Sequence, residues 1–210
     1  GPGVDRSMDV FKHANAAGTM EHGGVLAIAG DDHAAKSSTL PHQTEHDFMS
    51  AMMPVLYPAG VREFVEFGLL GLAMSRYTGA WVAFKTTSDT AETSASIDLE
   101  GEKRSIILPT DFEMPQGGLH IRWPDPWRGQ DTRLQRYKGF AAHAFARANH
   151  IDKIVLDSPN PRFGIIASGK AYLDVCQALH EMGITKEIAS EIGLRLYKVG
   201  MVWPLEPQGA

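Results

Sequence analysis

The chain is poor in what would tie it to a metal cluster, a membrane or a nucleic acid. Its 210 residues hold one cysteine, Cys176. One thiol makes no disulfide within the chain and cannot by itself hold an iron–sulfur cluster or a structural zinc. That usage fits the reducing cytoplasm. No apolar run approaches the ~20 residues that cross a bilayer, and the first residues do not read as a secretory leader. Lysine and arginine number 20 against 25 aspartate and glutamate, for a net charge of -5 and a pI of about 6.0. Such a balance gives no reason to expect nucleic acid or an anionic membrane as partner. There is no Gly-x-Gly-x-x-Gly, no Walker A loop and no Gly-x-Ser-x-Gly, so a Rossmann dinucleotide site, a P-loop and a nucleophile elbow lack support. An initiator methionine is also missing. The chain opens on Gly1-Pro2-Gly3 and reads as an excerpt of a longer polypeptide.

What is present suits a soluble globule: 43% hydrophobic and 21% charged residues. The length allows one ordinary domain, or one and part of another. The informative stretch runs from Gly24 to Phe48. Val25 to Ala29 is a short apolar run that reads as a buried strand. It breaks at Gly30 into Asp31, Asp32 and His33, then Ser37 and Ser38. Pro41 is expected to open a helix with His42, Gln43, Glu45 and His46 in its first turns. In open α/β sheets ligands meet the loops at the carboxyl ends of strands. This polar loop is therefore the first candidate for chemistry.

The remaining elements alternate. Ser7 can cap a helix through residue 17, which Gly18 ends. Pro54 to Tyr57 and Ala80 to Lys85 read as strands. Between them Val61, Phe64, Val65, Leu69, Leu72 and Ala73 recur at helical spacing and predict one apolar face. Strand, helix, strand of this length is a right-handed parallel βαβ unit. Residues 86–96 read as a polar loop, and Ile97 to Leu99 with Ile106 to Leu108 as a hairpin around a charged turn. An extended segment with Trp123 and Trp127 leads to a helix around Leu134 to Ala148. A second β-turn-α unit follows: a strand from Phe163 to Ala167, a helix from Lys170 to about Met182, and a strand from Leu194 to Val199. The fold class is thus α/β, a mostly parallel sheet with flanking helices followed by the start of a second α/β domain. The divisions expected are residues 1–100, a connecting region 101–160, and 161–210.

Two minor readings stand beside the loop. His42-Gln-Thr-Glu45-His46 matches the His-x-x-Glu-His metalloprotease pattern, so a zinc site at His42 and His46 is one alternative. Arg122, Arg128, Arg133, Arg136, Lys138 and Arg147 form a basic stretch around two tryptophans. Asp125 and Asp131 interrupt it, and it reads as a solvated surface or interdomain contact.

Residue logic stops at an α/β domain with a polar loop at a strand's end. Resemblance goes further. The loop resembles the Asp-Asp…Ser-Ser-Gln…Asp segment in the pyrimidine-binding domain of thiamine-diphosphate-dependent 2-oxoacid:ferredoxin oxidoreductases. Asp31, Asp32, Ser37, Ser38, Gln43 and Asp47 take similar places, with a few extra residues before the glutamine. Pro54-Val-Leu-Tyr-Pro58 is similar to the strand that follows in that family. GPGVDRSMDVFKHAN at the start, PQGGLHIRWPD at 115–125, FARANHIDK at 145–153, and GKAYLDV with YKVGMVWPLEP near the end look like the long single-chain bacterial indolepyruvate ferredoxin oxidoreductases.

The resemblance implies a pyrimidine-domain-like sheet and the start of a transketolase-C-terminal-like domain. It implies decarboxylation of indolepyruvate, or another aryl or branched 2-oxoacid, on thiamine diphosphate. The acyl group would pass to coenzyme A and electrons through iron–sulfur clusters to ferredoxin. His33, Ser37, Ser38, His42 and Gln43 become candidates for contact with the 2-oxoacid. No catalytic residue is expected inside the chain. The Gly-Asp-Gly loop that holds Mg²⁺ and diphosphate in such enzymes does not occur here, and the resemblance places the activating glutamate before Gly1. The chain alone is therefore expected to be inactive and to hold none of these cofactors, and the whole enzyme to be a cytoplasmic homodimer. The alternative from a different class is a non-catalytic α/β binding or interaction domain.

Overall fold

The computed structural model describes residues 1–36, 39–98 and 105–209. Four strands make the first sheet: β1 (Leu26–Asp31), β2 (Val55–Leu56), β3 (Val82–Thr87) and β7 (Met201–Trp203), in the order β1-β3-β2-β7. β1 and β2 both run parallel to β3, and β7 pairs antiparallel with β2. The second sheet is β4 (Lys153–Leu156), β6 (Leu194–Val199) and β5 (Phe163–Ser168), with β6 central, parallel to β5 and antiparallel to β4. The α/β class and mostly parallel pairing read from the sequence hold. β7 had no sequence signal of its own. It returns the chain's end to the first sheet.

Helices cover both faces of the first sheet. On one side lies α4 (Val61–Thr78), packed with α7 (Gly139–Ala148). Here Leu56, Phe67, Leu70, Met74, Val82, Phe84, Phe145, Ile151 and Met201 form one core. On the other side α1 (Pro2–Arg6), α2 (Met8–Ala17) and α3 (Glu45–Ser50) close a second core of Val4, Ala29, Phe48, Met53, Val55 and Ala83. The two cores follow from strand alternation: Val82 and Phe84 point one way, Ala83 and Lys85 the other.

The apolar face predicted for α4 is corrected. Val65, Leu69 and Leu72 are exposed, at 45%, 60% and 38%, while Phe67, Leu70, Ala73 and Met74 are buried. This helix is apolar nearly all round, so spacing alone does not choose a face. Gly71 chooses it. A Cβ there would meet Leu26 at 2.6 Å and Leu56 at 3.2 Å, so only this side approaches the sheet closely. The helix ends at Gly79, which has a left-handed φ of 65° and whose lack of a Cβ lets the backbone of Leu119 come near.

The polar stretch after β3 begins with α5 (Ser88–Ala91), a single turn closed by the Thr87 and Thr90 side chains. The expected hairpin lies partly outside the described residues; residues 105–108 carry no strand. Instead Asn149 clamps Ile107, accepting from its N–H at 2.9 Å and donating to its carbonyl at 2.8 Å. α6 (Trp127–Arg133) runs through a π-helical turn at Leu134–Lys138 into α7. Here the solvated reading of the basic stretch fails in part. Arg133 is buried against Asp125, 2.6 Å away. Lys138 is buried and donates to the carbonyls of Asn15 at 2.7 Å and Ala16 at 3.4 Å, at the carboxyl end of α2.

α8 (Gly169–Glu181) and α9 (Lys186–Ile192) flank the second sheet. Lys198 of β6 ties the second sheet to α4. Its ammonium is buried, pairs with Glu63 of α4, and lies over the rings of Phe67 and Tyr172 at 5.0 and 5.3 Å.

Candidate functional site

Asp31 ends β1 and Lys85 sits beside it on β3, both on the same face of the sheet. Asp31 is buried. Its Oδ2 accepts from the Thr44 N–H at 2.9 Å and the Thr44 hydroxyl at 3.1 Å, and lies 3.4 Å from the Lys85 ammonium. These bonds draw the far end of the loop back onto the strand. Asp32 ties the near end: its carbonyl accepts from His42 N–H at 2.9 Å, and its carboxylate from Lys36 N–H at 2.9 Å.

Lys85 is only 1% exposed, so its charge has to be met inside the protein. Glu45, the first residue of α3, pairs with it directly. The ring of Tyr57 stands under it at 4.7 Å, and His33 Nε2 lies 3.1 Å from Nζ. Burial raises the Glu45 carboxyl, but the hydrogen bond and charge of Lys85 outweigh it and hold the group below the usual carboxylate range. Oδ1 of Asp31 and Oε2 of Glu45 are buried with no hydrogen-bond partner. The second carboxylate pair nearby behaves differently. Burial and the neighbouring Asp5 raise Asp47.

Of the three predicted residues that lie among the described ones, the structure brings one into this cluster. His33 stands exposed at its mouth. His42 lies on the other side of the loop, with Nε2 3.7 Å from Asp5 and Nδ1 buried without a partner. Gln43 is exposed. Ser37 and Ser38 lie outside the described residues. The helix expected from Pro41 is corrected: α3 starts at Glu45, because the backbone before it is committed to Asp31 and Asp32. His42 is therefore not on a helix with His46, and the spacing that a shared zinc needs is not formed. Among the described residues no group of three or more histidine, cysteine or acidic side chains could hold a metal ion. Sequence reading missed Glu45 and Lys85 as members of the site. The one signal was a lysine ending an otherwise apolar strand, Ala80 to Lys85.

The charged cluster lies at the carboxyl ends of two neighbouring parallel strands of an α/β sheet, the edge where open α/β sheets meet their ligands. The fold is similar to that of a 2-oxoglutarate:ferredoxin oxidoreductase from Magnetococcus marinus, solved with 2-oxoglutarate, coenzyme A and succinyl-CoA bound. The TM-score is 0.60 at 14% identity, over 98% of this chain and 41% of that one. The chain thus spans well under half of the relative's length. Residues 152–210 match the family model of the indolepyruvate ferredoxin oxidoreductase middle domain. No curated protein sequence matches the chain. The family match covers the last part of the chain, and the fold likeness nearly all of it.

The residues present do not fit thiamine diphosphate by themselves. Glu45, at the far end of the loop, is bound to Lys85 and its carboxyl is held below the usual range, so it has no proton to share with a cofactor ring. No acidic set suited to a magnesium diphosphate occurs among the described residues.

Proposed function

We propose that this chain forms part of a thiamine-diphosphate enzyme that oxidatively decarboxylates a 2-oxoacid to an acyl-CoA and reduces ferredoxin. The substrate is indolepyruvate or another aryl or branched 2-oxoacid. Residues 1–100 supply the later part of a pyrimidine-type domain and 101–160 a connecting region. The rest opens a second α/β domain. Its sheet draws in β4, within the matched residues 152–210. The observation that carries this reading is the family match, joined to a fold likeness that runs through both sheets.

In this reading the loop after β1 is one wall of the substrate cleft, and His33, Ser37, Ser38, His42 and Gln43 are its candidates for contact with the 2-oxoacid. A histidine or glutamine donor there offers a hydrogen bond to the carboxylate or to the carbonyl oxygen as negative charge develops. Thiamine diphosphate, Mg²⁺ and the iron–sulfur clusters are held by parts of the enzyme beyond these residues, so the chain alone is inactive. The enzyme works in the cytoplasm as a homodimer.

The test uses the complete polypeptide that contains this chain. Supplied with thiamine diphosphate, Mg²⁺ and coenzyme A, it should reduce ferredoxin or a viologen dye on addition of indolepyruvate, with lower kcat/KM for 2-oxoglutarate. Absence of dye reduction with every aryl, branched and acidic 2-oxoacid refutes the reading.

A further inference from the structure

The buried Lys85 does more than neutralise Asp31 and Glu45, because its third neighbour is an imidazole nitrogen. An ammonium carries three N–H donors and no acceptor. His33 Nε2, 3.1 Å from Lys85 Nζ, can therefore only accept in that contact. A ring nitrogen that accepts carries no proton, and the proton of the neutral ring must then sit on Nδ1. The imidazolium form would turn an N–H toward an ammonium and set two like charges side by side. Asp31 Oδ2 at 3.4 Å, the Glu45 carboxylate and the Tyr57 ring hold the ammonium in place. At 1% exposure Lys85 has no water to turn to instead.

We propose that Lys85 is a positioning residue that fixes His33 as the Nδ1–H tautomer and so makes it a hydrogen-bond donor toward substrate oxygen. This rests on the reading of the loop as the 2-oxoacid wall. His33 is exposed at the loop, and Nδ1 lies on the ring away from Lys85. It offers one N–H to a carboxylate or a carbonyl oxygen. With Nε2 committed, the ring binds and polarises; it does not take a proton from the substrate.

The test reads the tautomer directly. The chain is made with ¹⁵N-labelled histidine, and long-range ¹H–¹⁵N correlations are recorded near neutral pH. A His33→Asn sample assigns the His33 signals among the nine histidines. The wild type should show a protonated Nδ1 and an unprotonated Nε2. Lys85→Met should move His33 to mainly Nε2–H, the form favoured by free imidazole in water, and Glu45→Gln, which keeps the ammonium, should leave Nδ1–H dominant. A wild-type spectrum with Nε2 protonated overturns the proposal, as does a folded Lys85→Met chain that keeps Nδ1–H. If Lys85→Met does not fold, the wild-type spectrum and Glu45→Gln still decide. None of these readouts needs turnover, so a failure here is distinct from a failure of the 2-oxoacid assignment.

Discussion

Replacing Lys85 by methionine removes one charge from between two carboxylates and keeps most of the side-chain volume. Lys85 and Asp31 are 1% and 0% exposed at their side chains. Removing one partner of a buried ion pair costs ~3–5 kcal/mol, because the other charge stays in the interior. Two features pull the value to the low end. Asp31 keeps both hydrogen bonds from Thr44, and the Glu45 side chain is 31% exposed, so water screens it in part. A loss of about 3 kcal/mol at pH 7 follows, a large share of the ~5–15 kcal/mol that holds a domain together. The pH dependence has a definite sign. In the wild type the Glu45 carboxyl is held below its unfolded value. Its contribution is full above the ordinary carboxylate range and is lost as pH falls through the lowered folded value. The variant lacks that contribution, so the gap between the two proteins holds from pH 7 down to the ordinary carboxylate range and narrows on acidification below it. Urea unfolding at several pH values measures this, provided the slopes agree. A gap under about 1 kcal/mol at pH 7, or one that widens toward acid, refutes the account of the cluster.

Two further outcomes are expected elsewhere in the fold. Burial pushes Lys138 down to about 7, with the charge of Arg133 adding to it. Between that value and its unfolded value the unfolded chain binds more protons. Stability should then rise with pH above about 7, by up to ~1.4 kcal/mol per unit, in urea titrations, and Lys138→Met should remove that rise. Asn15 donates to the carbonyls of Ala51 at 2.9 Å and Met52 at 2.8 Å, and accepts from Trp81 N–H at 2.9 Å. Asn15→Ala strands these groups in the interior. It should cost about 3 kcal/mol, seen as a Tm lower by roughly 6–12 °C for a chain of this size; an unchanged Tm contradicts that role.

Local pattern carried much of the fold. The apolar run into Gly30 and Asp31, the long helix ending at Gly79 and the strand at Ala80 to Lys85 follow from spacing and punctuation, and so does the parallel crossover between β2 and β3. What did not follow depends on contacts far apart in sequence. α3 begins late because Asp31 and Asp32 take the backbone donors before it. The face of α4 is set by Gly71 against Leu26, Leu56 and Val82, which no periodicity records. The buried lysines had no local signature. Lys138 lay in a basic stretch and read as solvated, yet it caps α2 from across the molecule. The same holds for the site. Its polar loop was legible from composition, and His33 was placed on it. Lys85 and Glu45 are 40 residues apart in sequence and meet only because β3 lies beside β1.

The central claim is that the loop after β1 faces the 2-oxoacid and that His33 donates to it. The most direct measurement is the steady-state kinetics of the complete polypeptide with His33→Ala, following ferredoxin or dye reduction with indolepyruvate and coenzyme A. Loss of a donor aimed at developing charge predicts a fall in kcat of about 10²–10³-fold, with thiamine diphosphate still bound. An unchanged kcat and KM would contradict the claim.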